Sequence, residues 1–530
     1  MRSFFLLLTC IIGQLLSAQS VGDRTLVVEE MVIPGMPGVQ SFAWGQHNGE
    51  WLMIGGRTDG LHRFQPPFSF LASDNNVTAY VVDPLNAQVW SASLSGLPTS
   101  MFEQLQSTNM PFAQRDSMLY VVGGYGYSAS ANDHITHPYL CAIHVPGMIN
   151  AIKNGQSIIP HVRQVMDPFL QVTGGQLGLM DDQFFLVGGQ RFMGRYNPMG
   201  PNQGPGFEQQ YTNAIRRFTI DDNGVDLIIA DTSSTIDTLE LHRRDYNMLP
   251  QIFPDGAPGF TVFSGVFQYA QDLPWLNTVD VTDSGYVVVP GFEQLLNQYH
   301  TAHLPVWDST ANIMRSIFFG GISRYFYDQQ GVLWDDQDVP FVNTISMVER
   351  DGSGVLQEVA LDQMPALLGS GAEFIPSSGV PMHPMGILRQ HALSGDTVLA
   401  GYIVGGIEST APNIFFSNNG TQSDATGRIF KVLLVSNGSN AIKEPDAGVS
   451  GIRVLPGHGD DMRVEVSMTE ADMLELDLLD STGRRIRMLF AGRLPAGEHS
   501  FPVSFSMHAP GVYFIRSSIT TGTSTIQVVH

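Results

Sequence analysis

Leu119-Tyr120-Val121-Val122-Gly123-Gly124 is one of six similar stretches in this chain, and its reading decides the fold. A short β-branched or aromatic run ending in paired small residues reads as a strand that turns sharply at its end. The pattern recurs as Trp51-Leu52-Met53-Ile54-Gly55-Gly56, Phe184-Phe185-Leu186-Val187-Gly188-Gly189, Phe260-Thr261-Val262-Phe263-Ser264-Gly265, Ser316-Ile317-Phe318-Phe319-Gly320-Gly321 and Gly401-Tyr402-Ile403-Val404-Gly405-Gly406. Six copies exceed chance and mark a repeat architecture. Glycine suits the end of such a strand because it tolerates φ > 0 and close backbone approach near a crowded axis.

A second echo lies downstream of several copies, in Asn76-Val77, Asn213-Ala214-Ile215, Asn277-Thr278-Val279 and Asn343-Thr344-Ile345. Each opens another strand pair. The clearest is Val77 to Val82, then the turn Asp83-Pro84-Leu85-Asn86, then Ala87-Gln88-Val89-Trp90. A strand ending in Gly-Gly, a loop, and a strand-turn-strand whose last strand carries Trp resembles the Kelch repeat. The resemblance implies an all-β, six-bladed Kelch-like β-propeller over residues 20–437, one four-stranded blade per repeat. The early strand Thr25 to Glu30 is expected to complete the last blade and close the ring. Successive doublets begin 56 to 85 residues apart, longer than the ~50 residues of a Kelch repeat, so the excess sits in loops. Ser264 departs from the pattern by replacing a glycine.

Composition agrees. The 530 residues are 43% apolar and 15% charged, which makes a folded, multidomain protein, and 55 Gly, 31 Pro, 31 Phe and 15 Tyr favour many short strands. The net charge of -23, with Lys153, Lys431 and Lys443 the only lysines, argues against a nucleic-acid partner.

Met1-Arg2-Ser3, the apolar run Phe4 to Leu16 and Ser17-Ala18-Gln19 have the order of a secretory signal, expected over residues 1–19 with cleavage near Ala18. The run is shorter than the ~20 residues of a membrane span, and no transmembrane span is expected elsewhere. Cys10 leaves with the signal, so Cys141 alone remains and no internal disulfide is expected.

Residues 438–450 read as a polar linker, and residues 451–530 as alternating strands of a small C-terminal β-sandwich, from Met462 to Ser467 through Thr523 to Val529. Leu476-Asp477-Leu478-Leu479-Asp480-Ser481-Thr482-Gly483-Arg484, Leu494-Pro495-Ala496-Gly497 and Ala509-Pro510-Gly511-Val512-Tyr513-Phe514-Ile515-Arg516 together resemble the type A sorting domain of the Bacteroidetes type IX secretion system. The resemblance implies that type IX secretion machinery engages residues 451–530 and that the protein is secreted or held on the outer cell surface. Two positions depart from that pattern: Leu455-Pro456-Gly457-His458-Gly459 stands where Pro-Asn-Pro is usual, and Gln527 replaces a basic residue.

In a propeller the loops after the Gly-Gly strand and those leading into each blade emerge on one face. Here they carry Arg57, Asp59, His62 and Arg63; Tyr125 and Tyr127; Arg191, Arg195 and Tyr196; Phe267 and Tyr269; and Arg324, Tyr325 and Tyr327. Segments before the fourth, fifth and sixth doublets add His242-Arg243-Arg244-Asp245-Tyr246, His300 and His303, and His383, Arg389 and His391. Arginine forks bind carboxylate, sulfate or phosphate, and aromatic faces stack on sugar rings. The expected function is ligand binding on this face, to a glycan or protein and with an anionic glycan suiting both chemistries, without catalysis. Neighbouring acids such as Asp59, Asp245 and Asp255 are also available to pair with the arginines.

His134-x-x-His137 and His300-x-x-His303 invite a metal reading, but on a strand residues i and i+3 point to opposite faces. Copper-radical oxidases also use Kelch-type propellers, with a Tyr crosslinked to Cys; a lone Cys141 on a third strand reads instead as a core residue. No metal and no cofactor is expected. The alternative is a carbohydrate-active enzyme, an epimerase, lyase or oxidase, using the same face with an acid and base drawn from different blades, such as His303 and Asp245.

Overall fold

The computed structural model describes residues 20–200, 204–328, 331–437, 449–456, 461–468, 471–479, 484–504, 512–519 and 522–529. The expected signal segment 1–19, most of the expected linker (438–448), and residues 480–483 of the Asp-x-x-Gly-Arg turn lie outside them. The chain divides into two compact units, with the boundary between Asn437 and Gly438.

The first unit is built from up-and-down antiparallel sheets that follow one another along the chain. Sheet 1 comprises Ala43–His47, Glu50–Ile54, Thr78–Asp83 and Gln88–Ser93; sheet 2, Phe112–Arg115, Met118–Val122, Tyr139–His144 and Val162–Met166. Sheet 3 comprises Gln176–Met180, Gln183–Val187, Ala214–Asp222 and Leu227–Ile236; sheet 4, Asn247–Ile252, Pro258–Phe263, Val279–Val281 and Tyr286–Val288. Sheet 5 comprises His303–Asp308, Ile313–Ile322, Phe341–Arg350 and Leu356–Gln363, and Leu388–Arg389 adds a short parallel strand beside its first. Sheet 6 comprises Leu367–Pro376, Thr397–Ser409 and Ile429–Ser436, and Arg24–Met31 from the start of the chain supplies its outer strand in register with Ile429–Ser436.

The apolar runs bury both faces of each sheet, which explains why they are continuous rather than alternating. Side chains alternate along a strand, so Leu119 and Val121 pack with Leu52 and Ile54 of sheet 1, while Tyr120 and Val122 pack with Phe184 and Leu186 of sheet 3. The same alternation places Phe185 and Val187 against Phe260 and Val262, and Phe263 against Phe318. Phe319 joins Leu368 and Phe374 of sheet 6, and Val404 joins Trp51 and Met53 of sheet 1. The cores therefore run from sheet to sheet and return to the first, the ring arrangement of a β-propeller.

The doublets make the ring tight. Both residues of each doublet have positive φ, including Ser264 at 59° where serine replaces glycine. A Cβ added at Gly123 would lie 1.9 Å from the Val172 carbonyl oxygen, and one at Gly320 would lie 1.9 Å from that of Leu368. Gly124 donates its N–H to Val172 (3.0 Å), Gly56 to Ser107 (2.8 Å), Gly189 to Arg243 (2.7 Å) and Gly406 to Val39 (2.9 Å), each in the segment leading into the next sheet around. The Ser264 hydroxyl takes up the equivalent contact with the Asn297 carbonyl at 3.0 Å.

Around the axis runs a second set of backbone contacts. Ser41, Asn109, Gly174, Asp245 and His300, just before the innermost strands, and Gly371, within the innermost strand of sheet 6, all have φ between 48° and 66°. Asp245 donates its N–H to Gly174, Gly174 to Asn109, Asn109 to Ser41, Ser41 to Gly371 and Gly371 to His300, at 2.7 to 3.2 Å.

Two α-helices, α1 (Thr99–Leu105) and α2 (Val145–Lys153), lie in connections of this unit. Among the described residues no helix is long and apolar enough to cross a membrane.

In the second unit Val449–Pro456, Asp461–Met468 and Gly497–Ser504 form one antiparallel sheet, and Arg485–Leu494, Asp472–Leu479, Val512–Ile519 and Gly522–Val529 form another. Val464, Val466 and Val503 of the first share a core with Leu474, Leu476, Leu478 and Ile515 of the second. Val449–Pro456 is a strand, so the expected linker ends two residues earlier than its composition suggested. Buried Asp477 accepts from Arg516 at 2.9 Å.

Candidate functional site

The loops after the doublets leave from the end of the ring where Gly-Gly and the left-handed residues lie. Arg57, Asp59 and His62 of sheet 1, Tyr125 and Tyr127 of sheet 2, Arg191, Arg195 and Tyr196 of sheet 3, and Arg324 and Tyr325 of sheet 5 all stand at this end, as do His242 to Asp245, His300 and His303. His391, with His383 and Arg389, does not. These three belong to the connection between the first two strands of sheet 6, which leaves from the hairpin end, and His391 Nδ1 accepts from Ser309 N in the first hairpin of sheet 5 at 3.2 Å. The placement of His391 is thereby corrected: the strand Leu367–Pro376 lies upstream of it, so the segment emerges on the opposite face.

The arginines are largely occupied. Arg57 grips Asp59 with two bonds of 2.7 and 2.8 Å and Asn75 with a third at 3.0 Å. Arg191 pairs with Glu208 at 2.8 Å, and Arg324 is bidentate on Asp335 at 2.6 and 2.7 Å. Arg195 reaches the Ser69 carbonyl at 2.6 Å. Arg243 is 1% exposed and bonds the carbonyls of Glu240, Ser264 and Asn277 and the Asn277 side chain, each at 2.8 Å. Such an arginine ties the connection after sheet 3 to the strand ends of sheet 4; burial brings its pKa down to about 10.

Arg244 pairs with Asp245 and donates from Nε to the Tyr211 hydroxyl at 3.0 Å. Burial opposes its charge, yet Tyr211 and Asp245 hold its pKa above the ordinary value. Beside it His242 lies between Tyr211 (ring centroids 3.7 Å apart) and Tyr269 (3.8 Å), with Nδ1 2.9 Å from Asn213 Oδ1. Burial, reinforced by Arg244, pushes the His242 pKa down to about 4, so the ring is neutral at pH 7. Tyr269 is 59% exposed and offers the outer face of this three-ring stack to solvent.

A second aromatic group forms where the loops of sheets 1, 2, 3 and 6 converge. His62 stacks on Phe70 (4.5 Å) and meets Tyr196 and Phe415 edge-on (4.9 and 5.8 Å). Phe64 packs against Phe415 and Phe416, Tyr125 against Phe70, and Phe207 against Phe192 and Tyr196. Burial lowers the His62 pKa to about 4 and raises that of Tyr125. Phe68 and Phe416 remain exposed at the edge, with Arg63 lying over the Phe68 ring at 4.9 Å. Of these rings His62, Tyr125 and Tyr196 were expected. The phenylalanines were missed, although Phe64, Phe68 and Phe70 within seven loop residues, and Phe415-Phe416, were a signal.

Along the axis the side chains are polar but the space is small. Ser41, Asn109, Gln176, Asp245, His300 and Glu373 line a cavity of about 20 Å³, room for about one water molecule. Glu373 accepts from Trp44 Nε1 at 3.2 Å, and burial raises its pKa to about 8. His303 Nδ1 is 2.9 Å from the Thr301 carbonyl oxygen, and burial takes its pKa to about 4.

His134 Nε2 is 2.7 Å from the Phe70 carbonyl oxygen, and His137 is buried just before the strand Tyr139–His144. Among the described residues no group of three or more His, Cys, Asp or Glu is placed to hold a metal ion. Cys141 lies on the third strand of sheet 2, fully buried, and donates to Gln104 Oε1 at 3.1 Å.

No protein-family model matches the chain, and no curated protein matches it. Among solved structures it is similar to YjhT, at 9% identity over 75% of this chain and 97% of that one with a TM-score of 0.40. It is similar to a glycoside hydrolase family 43 arabinoxylan arabinofuranohydrolase from Bacillus subtilis, at 12% identity over 93% and 95% of the two chains with a TM-score of 0.31. It is also similar to PorZ, a surface component of the type-IX secretion system of Porphyromonas gingivalis, at 9% identity over 91% and 80% with a TM-score of 0.13. TM-scores of 0.40 and below bring neither a family nor a function to this chain.

Proposed function

We propose that the first unit is a six-bladed Kelch-type propeller, exported to the cell exterior, that binds a glycan without catalysis on the face where its Gly-Gly loops emerge. The observation that carries this reading is the pair of aromatic surfaces on that face: Tyr269 on its His242–Tyr211 stack, and Phe416 packed on Phe64 and Phe415 beside His62. An aromatic ring whose back is packed and whose front is open is preorganised to take the apolar face of a sugar. Apart from Arg63, which lies over the Phe68 ring, the rim arginines are tied to carboxylates or carbonyls, so stacking contributes more to recognition than free positive charge, and neutral glycans fit as well as acidic ones. Of the acid–base pair of the enzymatic alternative, Asp245 lines a space the size of one water, too small for a sugar ring, and His303 does not line it but lies with Nδ1 on the Thr301 carbonyl oxygen. Export rests on the signal-like segment 1–19 and on the resemblance of residues 451–530, proposed as a sorting β-sandwich, to the type IX sorting domain.

A protein ligand is the second reading, favoured by the hairpin Tyr325–Tyr327 and Leu333–Asp335, where Tyr327, Val332, Leu333 and Trp334 are all exposed. The test is a glycan array probed with the full chain beside a Tyr269→Ala/Phe416→Ala variant. Binding that the variant loses supports the reading; undiminished binding by the variant, or none by the parent, removes it.

A further inference from the structure

On the hairpin face of the ring, away from the aromatic surfaces, two histidines meet across a strand pair. His144 ends Tyr139–His144, and His161 immediately precedes Val162–Met166. Ile143 is registered with Val162, so His144 and His161 occupy the next cross-strand position. Their ring centroids are 6.2 Å apart with planes inclined by 33°. Neither imidazole takes part in a hydrogen bond or ion pair among the described residues, although His144 is exposed and His161 half-buried.

Gly147 lies between them in the first turn of α2. Its φ is not in the left-handed region, and glycine is a poorer helix former than alanine. The reason for it here is space: a Cβ at Gly147 would sit 2.4 Å from His161 Nδ1 and 2.6 Å from His144 Nδ1. Both Nδ1 atoms thus lie close to one point and no more than about 5 Å apart. A tetrahedral metal holds imidazole nitrogens at about 2.0–2.1 Å, so the two rings turn toward each other to share one ion.

We propose that His144 and His161 chelate one divalent transition-metal ion of the zinc, copper or nickel class through Nδ1, in the space that Gly147 leaves open. Water completes the coordination. Imidazole selects these ions over magnesium or calcium. The N-terminus of α2 works against a cation, so the expected affinity is micromolar rather than tighter.

The test is calorimetric titration of zinc chloride into the chelator-stripped full chain at pH 7, with His144→Ala, His161→Ala and Gly147→Ala as variants. One equivalent of zinc is expected to bind with an affinity that falls at least tenfold in each variant. Gly147→Ala is the telling one, because it keeps both ligands and fills the space between them. His144→Ala, at an exposed residue, keeps the test open if His161→Ala fails to fold. Zinc affinity equal to that of the parent in His144→Ala or in Gly147→Ala overturns the proposal. So does titration showing no site of the expected stoichiometry in the parent.

Discussion

Gly123→Ala and Gly155→Ala separate backbone strain from the closeness of the sheets. The two glycines have nearly the same φ, 57° and 63°. Around Gly155, just beyond α2, nothing lies within 4 Å of an added Cβ; at Gly123 the Val172 carbonyl oxygen lies at 1.9 Å. Alanine at either position incurs the left-handed penalty of roughly 1–2 kcal/mol. At position 123 the sheets must also separate, at a cost of about 1–3 kcal/mol for overpacking, and the bond from Gly124 N–H to Val172 weakens, worth about 1 kcal/mol. Gly123→Ala is therefore expected to cost roughly 3–6 kcal/mol, against roughly 1–2 for Gly155→Ala. Urea unfolding of both variants, followed by far-ultraviolet circular dichroism and tryptophan fluorescence, reads the difference. Equal losses would refute the claim that the doublets are glycine because neighbouring sheets touch there.

Further outcomes follow from the same geometry. Arg243→Ala should destabilise the first unit by about 3–5 kcal/mol in denaturant, because it leaves the acceptors of a buried guanidinium unmatched; a variant with ordinary stability would show that its bonds are not structural. Burial raises the Glu373 pKa from its ordinary 4.5 to about 8, so its contribution to stability is fully present below pH 4.5 and is lost as pH rises through 8. Glu373→Gln should then match the parent at pH 4 and exceed it at pH 9 in thermal melts, and a constant difference across that range would contradict the buried, protonated carboxyl. Cys141, buried and with its thiol pKa raised by burial, should stay unreactive toward a thiol reagent until denaturant unfolds the first unit, and rapid labelling of the native protein would contradict the packing.

Much of the ring was legible because glycine is required by backbone geometry, and a required glycine shows in any sequence. The doublets, the long loops and the early strand at Thr25 to Glu30 all stand in the structure where the repeat put them. The left-handed residues at the axis were not legible, since Ser41, Asn109, Gly174, Asp245, His300 and Gly371 share a backbone conformation and no side-chain type. The rim cations were found, but their partners were only partly readable: Asp59 is two residues from Arg57, whereas Asp335 reaches Arg324 from the far strand of a hairpin. His391 was set on the wrong face because the first strand of sheet 6 carries no glycine signal that separates it from the segment that follows. The aromatic surfaces were half seen, since they assemble from loops of four sheets and only the repeat, not the loop sequences, fixes which loops meet.

The central claim is that ligand docks on the Gly-Gly face, and hydrogen–deuterium exchange of the full chain, with and without the strongest glycan from the array, tests it most directly. Protection is expected in 57–76, 190–200, 204–212, 266–276 and 407–426, with the connection 377–396 around His391 unchanged. Protection confined to 377–396 and the other hairpins of the opposite face would contradict it.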